Sequence, residues 1–287
     1  MNRGSLTALG IAVVRAMERE RPPQERIVDD PFARHFVGEG MYRFVTFFDK
    51  LGWSERRGPG VIGWLMARER AIDDAMLRLL GEGMQQMVIL GAGYDARAYR
   101  FQRRLAEVKV FEVDHPATQA GKKAKLDKIS DELTGDVTLV PVDFESQKLS
   151  DRLRESGYDP ALRTLFIMQG VIMYLTSDAV DSTLSFIRTQ SGPGSAVVFD
   201  YVSDALTSGR SAHGEIAHTN SYGRFTGEQI RLGIDPAHAP AWLEARGFVQ
   251  VEHLRSEDLH ARYFLGANAA RTVAPGYGLL IARVPAA

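Results

Sequence analysis

Between residues 5 and 19 apolar positions recur at helical spacing, and Pro22 and Pro23 end that element. The next segment, RIVDDPFARHFV, sets Asp29 and Asp30 ahead of Pro31, which predicts a helix start. Residues 41–60 are rich in aromatics and then break at RRGPG, a pattern suited to an irregular wall. Residues 61–80, VIGWLMARERAIDDAMLRLL, carry the clearest amphipathic pattern of the chain, closed by Gly81 and Gly83.

The rhythm then changes. MVILGAG (87–93), VKVFEVD (108–114), VTLVPVD (137–143), TLFIMQG (164–170) and SAVVFDY (195–201) read as short strands separated by helical stretches. Near-continuous apolar strands of this kind predict an α/β fold with a mostly parallel sheet covered on both faces. A polar, Gly-rich stretch follows Tyr201, and the helix-like AWLEARGF with strands at 249–254 and 277–284 completes the chain. The expected organisation is an N-terminal helical cap (1–83) and an α/β core (84–287), with 202–240 as an insertion or lid.

Composition changes this picture little. The 287 residues carry a formal net charge of -1, so no global field draws the chain to nucleic acid or an anionic membrane. The absence of cysteine removes disulfides, cysteine nucleophiles and thiolate metal sites, and fits a cytoplasmic protein. The apolar N-terminal stretch is short and soon meets Arg15, Glu18 and Arg19, favouring an amphipathic helix over a signal peptide. No metal site is expected.

The chemistry gathers at strand ends. Gly91-Ala92-Gly93-Tyr94-Asp95-Ala96 meets the spacing of a nucleotide-binding glycine turn, which alone is weak evidence. About 20 residues on, Glu112 and Asp114 can accept hydrogen bonds from ribose hydroxyls, and Asp143 with Phe144 can frame an adenine. This spacing fits NAD and, equally, a methyl-donor nucleoside without pyrophosphate. Asp95 tilts the balance to the second, because a carboxylate repels a pyrophosphate and tolerates a sulfonium.

Taken in order, these motifs resemble the leucine carboxyl methyltransferase-like family of S-adenosylmethionine-dependent methyltransferases, including its bacterial branch of polyketide and other O-methyltransferases. TALGIAVVRAMERE and DDPFARHF are similar to that branch's opening, and LMARERAIDDAM to its arginine-bearing helix. LGAGYDARAYR, FEVDHPATQAGK and VPVDFE are similar to the cofactor core. IMQGVIMYLTSDAV and SGPGSAVVFDY extend the resemblance to about residue 205. It implies a Rossmann-like class I methyltransferase fold with a seven-stranded sheet, and S-adenosyl-L-methionine as cofactor. In that frame Arg68 would neutralise the methionine carboxylate, Gly91 and Gly93 would line the methionine and sugar, Asp114 with Glu112 nearby would hold the ribose, and Asp143 with Phe144 would frame adenine. One position departs: Gln169 stands where the family usually has a Glu near the cofactor's amino group. Its amide oxygen still accepts a hydrogen bond but supplies no charge, and Asp95 is the nearby carboxylate that could compensate.

The expected reaction is in-line transfer of a methyl group to a carboxyl or phenolic hydroxyl of a small acceptor. Candidate acceptor contacts are Tyr174, Tyr201, His213, His218, Asn220 and Tyr222, with the two histidines as base or orienting donors. Tyr42, Phe44, Phe47, Phe48, Trp53 and Trp64 either line an apolar, aromatic-selective acceptor cavity or pack between helices and sheet. A protein C-terminal carboxyl methyltransferase, a nicotinamide-dependent oxidoreductase and a non-catalytic cofactor-binding module remain the alternatives on sequence alone.

Overall fold

The structure is a computed structural model that describes residues 6–133, 135–143, 146–207 and 229–286. The chain opens with four helices, α1 (Leu6–Arg19), α2 (Glu39–Lys50), α3 (Trp53–Arg57) and α4 (Val61–Gly81). An alternating series follows: β1 (Gln86–Leu90), α5 (Arg97–Arg100), β2 (Lys109–Asp114), α6 (Pro116–Leu126), β3 (Val137–Pro141), α7 (Leu149–Glu155), β4 (Thr164–Met168), α8 (Ser177–Thr189) and β5 (Ala196–Val202). The described chain ends with α9 (Asp204–Thr207), α10 (Ala239–Glu244), β6 (Val249–Arg255), α11 (Ser256–Tyr263) and β7 (Tyr277–Arg283).

The strands form one seven-stranded sheet in the order β3-β2-β1-β4-β5-β7-β6. β1 to β5 pair in parallel, whereas β7 runs antiparallel between β5 and β6. Seven strands fall where the apolar runs predict them. The reason lies in the core, because side chains alternate across a strand. Met87 and Ile89 join a cluster with Ala12, Phe36, Ile72 and Met76 from the N-terminal segment, while Val88 and Leu90 join Phe166, Leu184 and Ile187 on the other face. Both faces are dry, so alternation gives way to a continuous apolar run.

The N-terminal third departs from its sequence pattern in two places. DDPFARHF gives only a 3₁₀ turn, Ala33–Phe36, and not a full helix. Asp30 does cap it, accepting from the backbone N–H of Phe32 (2.9 Å) and Ala33 (3.0 Å), but Val37 is already extended. Residues 41–60, expected to be irregular, are mostly helical in α2 and α3, and the glycines that look like breakers (Gly38, Gly52, Gly58 and Gly60) serve as their caps and that of α4. Among the described residues no helix is long and apolar enough to cross a membrane.

Candidate active site

The strand order reverses between β1 and β4, since β1 connects onward to β2 on one side and pairs with β4 on the other. A crevice beyond the carboxyl ends of strands at such a point is where open α/β sheets bind ligands. A cavity of about 300 Å³ lies there. Helix α1 supplies Thr7, Ala8, Ile11 and Arg15 to its wall, the β1 turn supplies Gly91 to Asp95, β2 supplies Asp114, and the segment after β4 supplies Gln169, Gly170, Val171, Tyr174 and Leu175.

Two glycines let the β1 turn fit. Gly91 and Gly93 have φ of +65° and +47°, and a Cβ at Gly91 would stand 2.5 Å from Val171 Cγ2, one at Gly93 2.9 Å from Ala8 Cβ. The turn is therefore pressed between the β4 segment and α1 without room for a side chain. Asp114 clamps it from the β2 side, accepting from the N–H of Gly93 and of His115, each at 2.6 Å. Burial raises the Asp114 pKa above its ordinary value, although those two N–H groups pull it down.

Beneath the turn lies a buried charge network. The Asp95 carboxylate accepts from Arg97 Nη1 (2.5 Å) and the Arg97 N–H (2.7 Å). Arg97 also meets Asp73 (2.8 Å) and Glu69 (3.1 Å), and Arg100 approaches Glu69 at 3.3 Å and contacts Asp73. Arg15 joins from α1, with Nε 3.0 Å from Asp30, Nη1 3.6 Å from Glu69 and Nη2 donating to the Tyr94 carbonyl. Burial pushes the Glu69 carboxyl up, but the guanidiniums of Arg97, Arg15 and Arg100 outweigh it and hold the group well below its usual range. Asp73 ends on the other side of the balance, raised by burial despite Arg100 and Arg97.

The residues expected from sequence divide by geometry. Gly91, Gly93, Asp95, Asp114, Gln169 and Tyr174 share the cavity wall. Asp95 is on that wall, but Arg97 takes its charge, so it holds the turn and does not present a free carboxylate to a sulfonium. Glu112 does not reach the cavity: fully buried two residues before Asp114, it meets Lys122 Nζ at 2.6 Å, and Lys122 also donates to the Asp95 carbonyl. Arg68 stands behind Gly170. Its Nη1 meets Asp200 at 2.5 Å, Asp200 accepts the Gly170 N–H at 2.5 Å, and Arg68 Nε and Nη2 are buried with no hydrogen-bond partner. Asp143, two residues past β3, is outside the wall and accepts from Ser146 Oγ (3.0 Å). Tyr201 is also away from it, its hydroxyl 2.8 Å from His253 Nε2. Phe144, His213, His218, Asn220 and Tyr222 lie outside the described residues.

The aromatic N-terminal residues do not line this cavity either. Phe44, Phe47 and Trp53 are 65%, 61% and 44% exposed, whereas Trp64 is buried and stacks on Tyr277. The sequence reading missed Arg15. Its signal was available: positions 8, 11 and 15 share one helical stripe, so Arg15 interrupts the apolar face of α1.

The polar groups around the cavity suit a nucleoside bearing an amino acid. Asp114 offers a carboxylate for hydroxyl donors, Gln169 Oε1 is a buried acceptor without a partner, and Arg68, behind Gly170 and off the wall itself, holds unpartnered N–H groups. Buried groups of this kind are costly unless a ligand satisfies them. Ribose hydroxyls, an ammonium and a carboxylate are the complementary set.

The fold is that of a Rossmann-like α/β protein with a polar-lined cavity at the switch point of its sheet. Residues 8–188 match the leucine carboxyl methyltransferase family, and the chain belongs to it. YktD of Bacillus subtilis (strain 168), assigned by name to the S-adenosyl-L-methionine-dependent methyltransferases, is 29% identical over 282 residues, covering 92% of each chain. A Rhodococcus jostii (strain RHA1) protein of the same assignment is 31% identical across 90% of this chain and 86% of its own. The crystal structure of a Thermobifida fusca YX protein assigned as a methyltransferase aligns with a TM-score of 0.63 at 15% identity, covering 99% and 96% of the two chains, which shows the shared fold. The protein is an S-adenosyl-L-methionine-dependent methyltransferase.

Proposed function

We propose that the protein transfers a methyl group to an oxygen of a small apolar or aromatic acceptor, at a carboxyl or a phenolic hydroxyl. The observation that carries this reading is the division of one cavity: its polar groups adjoin an apolar stretch made by Ile11, Val171, Tyr174 and Leu175. The family's name, which specifies a leucine carboxyl, supports oxygen as the atom methylated.

When bound, S-adenosyl-L-methionine supplies a methyl group on a sulfonium as the electrophile. Alignment and water exclusion are then the tasks of the chain. Asp114 would hold the ribose hydroxyls, Gln169 the ammonium, and Arg68 the carboxylate; the Gly91 to Gly93 turn gives the close backbone approach. Helix α1 packs on the turn through Ala8. Burial and the nearby Asp114 charge push the Tyr94 phenol up, so it stays a neutral wall residue. An acceptor carboxylate is already ionised at neutral pH and needs no base, whereas a phenol gains from one.

Methyl-labelled cofactor incubated with aromatic carboxylic acids, phenols and a peptide with a free C-terminus tests this. The reading expects label on a small molecule, as a base-labile methyl ester or a base-stable aryl ether. Label on nitrogen, on carbon or on the peptide alone would refute it.

A further inference from the structure

Glu69 is fully buried on α4, and its two oxygens do different work. Oε1 faces three guanidiniums, those of Arg97 (3.1 Å), Arg100 (3.3 Å) and Arg15 (3.6 Å). Oε2 accepts from Gln169 Nε2 at 2.7 Å. A carboxylate flanked by three arginines stays ionised and can only accept, so it dictates which end of the Gln169 amide faces it. The NH₂ must point to Glu69. The carbonyl Oε1 is left as a buried acceptor with no partner, on a residue of the cavity wall. A charge-assisted bond at one end of an amide also polarises the other, making Oε1 a stronger acceptor.

We infer that Glu69 is a positioning residue, which fixes and polarises Gln169 so that the amide oxygen receives the ammonium of the cofactor's amino-acid tail. The Glu69 carboxylate thus sits one side chain behind the wall and acts on the ammonium through the amide it orients. This rests on the cofactor class and is independent of which acceptor is methylated.

The relay makes a specific demand on Glu69→Gln, which keeps the shape of the side chain and removes the charge that fixes the amide. An amide at position 69 can donate as well as accept, so the Gln169 NH₂ is no longer obliged to face it and Oε1 is no longer held toward the cavity. The charged groups facing the pair are Arg15 from α1, Asp73 on α4 and Arg97 and Arg100 from α5; Arg68 and Asp200 meet the neighbouring Gly170.

The test is calorimetric binding of S-adenosylhomocysteine and of methylthioadenosine, which lacks the amino-acid tail, with melting curves as a control for folding. Gln169→Leu should weaken S-adenosylhomocysteine by about tenfold or more and leave methylthioadenosine within about twofold. Glu69→Gln should weaken S-adenosylhomocysteine several-fold, again with methylthioadenosine within about twofold. Glu69→Gln binding S-adenosylhomocysteine as tightly as wild type, or losing both probes equally, would overturn the relay. So would equal weakening of both probes by Gln169→Leu, which marks a collapsed wall. Failure of the wild type to bind either probe would count against the cofactor class itself.

Discussion

Replacing Asp114 with Asn keeps the shape of the side chain and removes its charge. Each Asp114 oxygen accepts a backbone N–H at 2.6 Å, from Gly93 and from His115. An amide can serve only one of these, since its NH₂ would face a second donor. One charge-assisted hydrogen bond is lost, about 1.5–3 kcal/mol, but the cost of burying a charge is also relieved. That relief is real here, because burial raises the pKa of Asp114. The two effects oppose, so the ligand-free variant should melt within a few degrees of wild type. Binding has no such offset. Ribose hydroxyls that donate to a carboxylate would lose at least one charge-assisted bond, about 1.5–3 kcal/mol, or roughly 10- to 150-fold in Kd. Calorimetric titration with S-adenosylhomocysteine reads this directly. The pH dependence has a definite sign: ionised Asp114 is the binding form, so wild-type affinity is full at neutral pH and falls as pH drops through a pKa above the ordinary aspartate value. The Asn variant should lack that fall. A Kd within twofold of wild type, or an unchanged acid limb, would refute the role of Asp114.

Lys122→Met leaves Glu112 buried without its ion pair and the Asp95 carbonyl without its donor, and should cost about 3–5 kcal/mol of stability in a denaturant titration. Burial already raises the Glu112 pKa, so the variant's deficit should grow as pH rises through that value, where the folded state must give up a proton it holds more tightly than the unfolded chain. Gly93→Val puts a branched side chain at φ +47° against Ala8, which should cost about 1–3 kcal/mol in thermal melts and weaken S-adenosylhomocysteine binding by displacing α1. Arg68→Ala should weaken S-adenosylhomocysteine about tenfold or more in calorimetry while sparing methylthioadenosine, which carries no carboxylate; equal loss for both would reassign Arg68 to holding Asp200 and Gly170 in place.

The inner strands β1, β2, β4, β5 and β7 were legible because they are largely buried, and a dry strand writes an uninterrupted apolar run such as MVIL or LFIM. Parts of the site were legible for a similar reason: glycines at a strand end and an acid at the next strand end mark a backbone that must approach a ligand. What sequence could not resolve is which acid faces the ligand. Glu112 and Asp114 lie on the same face of β2, and only the fold shows that Lys122 from α6 covers the first and leaves the second at the cavity. Asp95 illustrates the same limit, since its charge is consumed by Arg97 two residues away. The aromatics of α2 misled in the opposite direction, because an exposed Phe44 or Phe47 has the same letter as a cavity wall. Glu69 carried no legible signal at all: one acid in a charged helix acquires its meaning from Gln169, 100 residues on.

A crystal structure of the protein with S-adenosylhomocysteine bound would show which groups hold the cofactor. The expected complex has the ribose hydroxyls on Asp114, the adenosine against the Gly91 to Gly93 turn and the ammonium on Gln169 Oε1, with Gln169 Nε2 still on Glu69. A ligand seated away from the β1–β4 crevice, or one that leaves both Asp114 and Gln169 untouched, would contradict it.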